Sequence, residues 1–180
     1  MKALMRPWEL LNALIGDATG NKFNEFAQKL TLQHLLRYCN LRLKKLHSRY
    51  ELSMPEEDED DDLVVTDTFM GHERRSVKTL SGGETFIISL ALALGLSDLA
   101  SRDIRIDSLF VDEGFGTLDS ETLEQAITTL EQLQAEQNKT VGIISHVESL
   151  KERIYTQVRL EKQQSGYSVL SIHPKEKGAE

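Results

Sequence analysis

Two clusters of residues carry the chemistry legible in this sequence. The first is Leu80-Ser81-Gly82-Gly83-Glu84. A serine and two glycines at a helix start let the backbone approach a ligand closely. The first turn adds unpaired N–H groups and the positive end of the helix dipole, and the Ser81 hydroxyl adds one more donor. This is an anion receptor suited to a terminal phosphate. The second cluster is the apolar run Ser108-Leu109-Phe110-Val111 followed by Asp112-Glu113. A strand held rigid in a sheet would place Asp112 to hold Mg²⁺, mainly through water, since that ion takes oxygen ligands and keeps several waters. Glu113 would orient or deprotonate an attacking water. Phosphoryl transfer asks little else of a protein beyond positioning and charge stabilisation. Alone, S-G-G reads as a plain helix cap and D-E as two acids ending a strand in solvent. Occurring together in this order, they favour the phosphate reading.

Three further groups extend the pattern. Gly114-Phe115-Gly116-Thr117-Leu118-Asp119 follows Glu113 at once, and its glycines allow tight backbone contact at an interface. Asp119 reads both as a helix N-cap and as an interface residue. His146 directly follows the apolar stretch Val141 to Ser145, where an imidazole could hydrogen-bond a phosphate. His72, Arg74, Arg75 and Lys78 form a small basic cluster that could meet nucleotide, DNA or only water, with the solvated surface slightly favoured; Lys151, Arg153 and Arg159 are equally ambiguous. His34 and His47 read as surface histidines, since no partner with ligand spacing is near.

Composition bounds these readings. A chain of 180 residues can bury a core and fits one domain. It contains no run of 18 apolar residues, so no membrane span is expected, and its start lacks the apolar core of a secretion signal. The single Cys39 excludes an internal disulfide and suits a reducing cytoplasm. The net charge of −8 is mostly local. Glu56 to Asp62 are seven consecutive carboxylates, and without them the 29 acidic residues fall to 22 against 21 basic ones. That run self-repels and reads as a solvated loop, leaving nucleic-acid binding open elsewhere on the surface.

The positioning elements follow from periodicity. Trp8, Leu11, Leu14 and Ile15 have helical spacing that Gly16 ends, and residues 16–20 form a turn. A helical stretch carries Phe23, Phe26 and Leu30, and another, capped by Thr31, carries Leu32 to Tyr50. Residues 50–54 and 63–70 read as strands flanking the acidic run. From Ser81 onward the order is helix to about Leu99, buried strand Ile106 to Val111, helix from Asp119 or Ser120 to about Ala135, buried strand Thr140 to Ser145, and short helix Val147 to Lys151. A closing hairpin turns at Ser165-Gly166, and Pro174 to Glu180 form a tail. Such alternation predicts an α/β layer with a mostly parallel sheet and a ligand beyond the strands' carboxyl ends.

From about Lys22 to Leu170 the chain resembles the C-terminal ATPase lobe of the SbcC family, bacterial SMC-like coiled-coil DNA-repair ATPases. Leu-Ser-Gly-Gly-Glu matches the ABC signature and is shared with several relatives. Asp112-Glu113-Gly114-Phe115-Gly116-Thr117-Leu118-Asp119 is much more specific to this branch, and residues 89–94 and 143–148 strengthen it. The resemblance implies an ABC-type, P-loop NTPase-like head of α/β class. Residues 1–20 would be the end of a returning coiled-coil helix and its turn, 21–173 the lobe with its acidic loop 56–62, and 174–180 a tail. It implies that Ser81, Gly82, Gly83 and Glu84 meet ATP held by a second head. Asp112 would serve the Mg²⁺ of a nucleotide on the same head as Walker B acid, with Glu113 as base, His146 as sensor of the γ-phosphate and Asp119 at the dimer seam. No G-x-x-x-x-G-K-[ST] phosphate loop occurs in the sequence. In this family that loop lies on an N-terminal lobe, so the fragment alone is expected to be inactive. The implied partners are that lobe, a second head in an ATP-dependent homodimer, the SbcD nuclease subunit and double-stranded DNA, with no membrane and a cytoplasmic location. Two rival readings are a non-catalytic DNA-bridging or partner-docking head using ATP as a structural ligand, and a nucleotide-binding part of a transporter. Glu84 and the Gly114-Phe115-Gly116 loop count against the latter.

Overall fold

The computed structural model describes residues 2–17, 19–56, 63–101, 106–137, 139–163 and 166–174. Helix α1 (Lys2–Ile15) ends at Gly16. Asp17 then organises the turn, its carboxylate accepting from the N–H groups of Thr19 (3.2 Å) and Asn21 (3.0 Å). Gly20, at φ 74°, leads into α2 (Asn21–Leu46).

The break expected at Thr31 is absent. The Thr31 hydroxyl donates to the Ala27 carbonyl four residues back (2.9 Å), so it is satisfied without ending the helix. The second half of α2 buries Leu36, Cys39, Leu43 and Leu46 on one face, while Phe23, Phe26 and Leu30 upstream remain exposed. That stripe packs on α3 (Gly82–Ala100). The helices are in tight contact at Gly95, where a Cβ would stand 2.7 Å from the Cys39 amide nitrogen. Arg42 adds a forked pair to Asp98 (2.6 and 2.9 Å). Each buried leucine contributes roughly 1.5–3 kcal/mol, whereas the mostly buried ion pair must first offset its own desolvation, so the apolar stripe sets the packing. By length and composition alone α3 could cross a membrane. Here Ile87, Leu90, Ala91 and Leu94 lie in the core, and Glu84 and Asp98 make ion pairs.

Strands β1 (Tyr50–Ser53), β2 (Val64–Asp67) and β3 (Glu73–Ser76) form an antiparallel sheet. The sequence pattern misses β3 and runs β2 on to residue 70, because Glu-Arg-Arg-Ser carries no apolar alternation. The chain reverses instead through Gly71 and His72, both left-handed (φ 69° and 61°). Asp67 stabilises this reversal by accepting from the N–H groups of Phe69 and Met70 while paired with Arg49. Of the acidic run, Glu56 pairs with Arg74 (3.4 Å); the remainder, 57–62, lies outside the described residues.

Strands β4 (Ser108–Asp112) and β5 (Thr140–Ile144) pair in parallel, joined by α4 (Ser120–Gln137). Buried Lys139 ties the start of β5 to the end of α3, donating to the hydroxyls of Ser97 (2.8 Å) and Ser101 (3.4 Å). Neither strand is buried on both faces as expected. Leu109 and Val111 face the helical core, but Phe110 is 72% exposed and Ile144 56%. The short helix α5 (Glu148–Arg153) precedes a hairpin of β6 (Thr156–Lys162) and β7 (Ser168–Pro174). Pro174, expected in the tail, pairs opposite Thr156, and residues 175–180 lie outside the described set. The α/β class and its parallel sheet stand. The antiparallel share is larger than the pattern suggests: among the described residues only β4 and β5 pair in parallel.

Candidate active site

Ser81 is the N-cap of α3, with its backbone extended at φ −68°. Its hydroxyl accepts from the Glu84 N–H (3.4 Å), and its own N–H donates to Glu84 Oε2 (2.7 Å), closing a capping box. Ser81 and Gly82 are exposed. The other carboxylate oxygen of Glu84, Oε1, accepts from the Tyr50 hydroxyl and from Arg75 Nη2 (3.0 Å). Burial raises the pKa of Glu84, but the bonds from Tyr50, the Ser81 amide and Arg75 outweigh it and bring it to about 2. Burial, and then the bond to Glu84, push the Tyr50 phenol up to about 12. The guanidinium of Arg75 also lies 5.7 Å from the Tyr50 ring centroid, and that of Arg49 lies 5.2 Å from it. His47, expected at the surface, stacks on the same ring at 5.2 Å. Glu84 thus anchors the helix start to the antiparallel sheet, with Ser81 and Gly82 left exposed. Sequence reasoning misses Tyr50, and leaves Arg75 open between nucleotide, DNA and solvent, because pairing with Glu84 is set by the tertiary fold.

Asp112 ends β4 opposite Ile144 and is exposed. Glu113 is left-handed at φ 59°, an uncommon backbone for a residue with a side chain. Its N–H donates to the Ile144 carbonyl (2.9 Å), so the end of β5 fixes it. Its carboxylate lies 3.1 Å from His146 Nδ1, and both side chains are more than half exposed. The Ser145 hydroxyl accepts from the Val147 N–H (3.2 Å) and holds the turn that presents His146. A Cβ on Gly116 would come within 3.7 Å of His146 Nε2. The strand ends therefore bring Asp112, Glu113 and His146 to one edge of the parallel sheet. Asp119 caps α4, accepting from the amide (2.9 Å) and hydroxyl (2.7 Å) of Thr122, which hold its carboxyl below its ordinary value. Among the described residues no cluster of three or more His, Cys, Asp or Glu forms a protein-built metal cage. A lone carboxylate such as Asp112 fits an ion that arrives with phosphate and water ligands.

The two clusters touch. A Cβ on Gly83 would stand 2.9 Å from the Thr117 carbonyl, so packing against this loop itself requires a glycine. Phe86, one turn along α3, meets Phe115 edge to face (4.8 Å between centroids) and occupies the space where a Cβ on Gly114 would go. Sequence reasoning misses the Phe86 contact as well; its spacing from Gly83, i to i+3, is the available signal.

A family model described as SbcC/RAD50-like, Walker B motif, matches residues 45–132. The SbcC protein of the SbcCD nuclease of Pseudomonas aeruginosa is 48% identical over 171 residues, which cover 95% of this chain and 14% of that protein. This chain belongs to the SbcC/RAD50-like family. The SbcC protein of Deinococcus radiodurans is 40% identical over 92% of the SbcC-like chain. A probable DNA double-strand break repair Rad50 ATPase of Aquifex aeolicus is 34% identical over 88% of it. The SbcC-like chain spans only 14% to 17% of the length of these relatives. Among solved structures, one from work on ATP-driven dimerization and DNA-stimulated activation of SMC ATPases superposes with a TM-score of 0.64 at 15% identity, covering 86% of this chain and 91% of that one. An Smc head bound to the C-winged helix domain of ScpA gives 0.63 at 17% identity, over 93% and 50%. The SbcC-like lobe therefore has the fold of SMC ATPase heads.

Proposed function

We propose that this chain is the C-terminal half of an ATP-binding and hydrolysing head in an SbcC-type protein, acting with an SbcD-type nuclease in DNA end processing and repair. The observation that carries this reading is the convergence of Asp112, Glu113 and His146 at one sheet edge, with the Ser81 helix start packed on the loop that leaves it. Asp112 would hold the Mg²⁺ of a nucleotide bound to the same head. Glu113 would take the proton from the attacking water, and His146 would contact the terminal phosphate. Ser81 and the amides of Gly82 and Gly83, set by Glu84, would receive the phosphate of ATP on a second head. Asp119, at the loop's end, would lie near that seam. The phosphate loop would come from an N-terminal lobe, whose apolar strands would cover Phe110 and Ile144. The chain's small share of its relatives' length leaves ample sequence for such a lobe.

The test is ATP turnover by this chain alone and after adding a matching phosphate-loop lobe, with Glu113→Gln alongside. No turnover alone, turnover on mixing and a loss of at least about 100-fold in the variant, with ATP still bound, are expected for a general base. A complete head that binds ATP without turnover would point to a bridging head instead.

A further inference from the structure

We propose that Phe86 is a positioning residue for Glu113, through which movement of the first turns of α3 reaches the catalytic carboxylate. The inference rests on the reading of Glu113 as base. A residue with a side chain holds a left-handed backbone only where its surroundings over-determine it, and Glu113 at φ 59° is followed by Gly114 at φ 93°. Three restraints enclose this pair. The Glu113 N–H is bound by the Ile144 carbonyl (2.9 Å). The Gly114 carbonyl accepts from the N–H (3.2 Å) and hydroxyl (2.7 Å) of Thr117. The Phe86 ring fills the side of Gly114 where a Cβ would project, and is braced edge to face by Phe115, itself 1% exposed.

Of these restraints only Phe86 belongs to the helix whose start forms the anion receptor. Gly83 and Phe86 lie three residues apart on one face of α3. They touch the same loop at two points, Thr117 and Gly114. A close-packed contact transmits a shift instead of absorbing it. Arrival of a phosphate at Ser81 would therefore press through Phe86 on Gly114 and set the backbone that aims Glu113. The helix that serves one nucleotide is thereby coupled to the carboxylate that acts on the other.

The test is a double-mutant cycle in the full-length protein with its phosphate-loop lobe. Phe86→Ala should lower kcat about 10- to 100-fold, as a misplaced group does, with KM for ATP changed less than about twofold. In a Glu113→Gln background it should lower the residual rate by less than about twofold, since the two act as a unit. An equal loss in both backgrounds, a loss confined to KM, or no loss would overturn the proposal. Turnover retained in Glu113→Gln alone would remove the base assignment and this proposal together. Should thermal melting show that Phe86→Ala does not fold, Phe86→Leu, which keeps apolar bulk without the ring, carries the same cycle.

Discussion

In the proposed reading the Ser81 hydroxyl does two jobs. It accepts from the Glu84 N–H and, being exposed, would receive the phosphate of a second head's ATP. Ser81→Arg should fill that phosphate's place with a cation and prevent ATP-driven pairing of complete heads. The lost cap should cost only about 1 kcal/mol of stability. Size-exclusion chromatography with ATP checks this, and normal dimerisation of the variant would remove the phosphate role. Glu84 makes a separate prediction in pH. Its folded pKa, about 2, lies below the ordinary 4.5, so its stabilisation is complete above 4.5 and lost as pH falls toward 2. The melting-temperature gap between the native chain and Glu84→Gln should therefore be widest near neutrality and shrink below 4.5. A constant gap across that range would mean the carboxylate is not held by Tyr50, Ser81 and Arg75.

Helix α3 links the core to the site. Its N-terminal turns set the signature and press on the loop after Glu113, and its second half locks into α2 at Gly95. Gly95→Val would drive a side chain into the Cys39 backbone, which cannot move aside as a flexible side-chain tip could. Overpacking of this kind costs about 1–3 kcal/mol. Urea unfolding should show a lower midpoint with little change in slope, and an unchanged midpoint would place the helix contact elsewhere. Because α3 also carries Phe86, the same variant should depress turnover in a complete head beyond what lost stability explains.

On the scale of the molecule, the described residues cover the parallel sheet on one face only. Phe110 and Ile144 point away from the helical layer, where large apolar side chains gain nothing from water. Phe110→Glu should leave the isolated chain folded, since its side chain is mostly exposed, yet abolish association with the phosphate-loop lobe. Pull-down with that lobe, and turnover on mixing, check both halves. Association at native strength would show that the lobe docks on another face.

Much of the candidate site is legible because it is local in sequence. Asp112-Glu113, the glycine loop, Asp119 as a cap and Ser81 opening a helix each depend on neighbours within a few positions, where backbone geometry is set by residue type. The alternation of helices and apolar strands likewise announces the α/β class. Other features have no local signal. Strand β3 is made by pairing with β2, and Thr31 reads as a cap because a hydroxyl can end a helix or bond within it. The fate of Glu84 depends on Tyr50 and Arg75, brought in by a separate sheet. The left-handed Glu113 depends on Ile144 across the sheet and is bounded by Phe86 through Gly114. Sequence alone determined which groups could do the chemistry. Tertiary structure decided which of them meet and which are committed to holding others in place, because those restraints come from residues far along the chain.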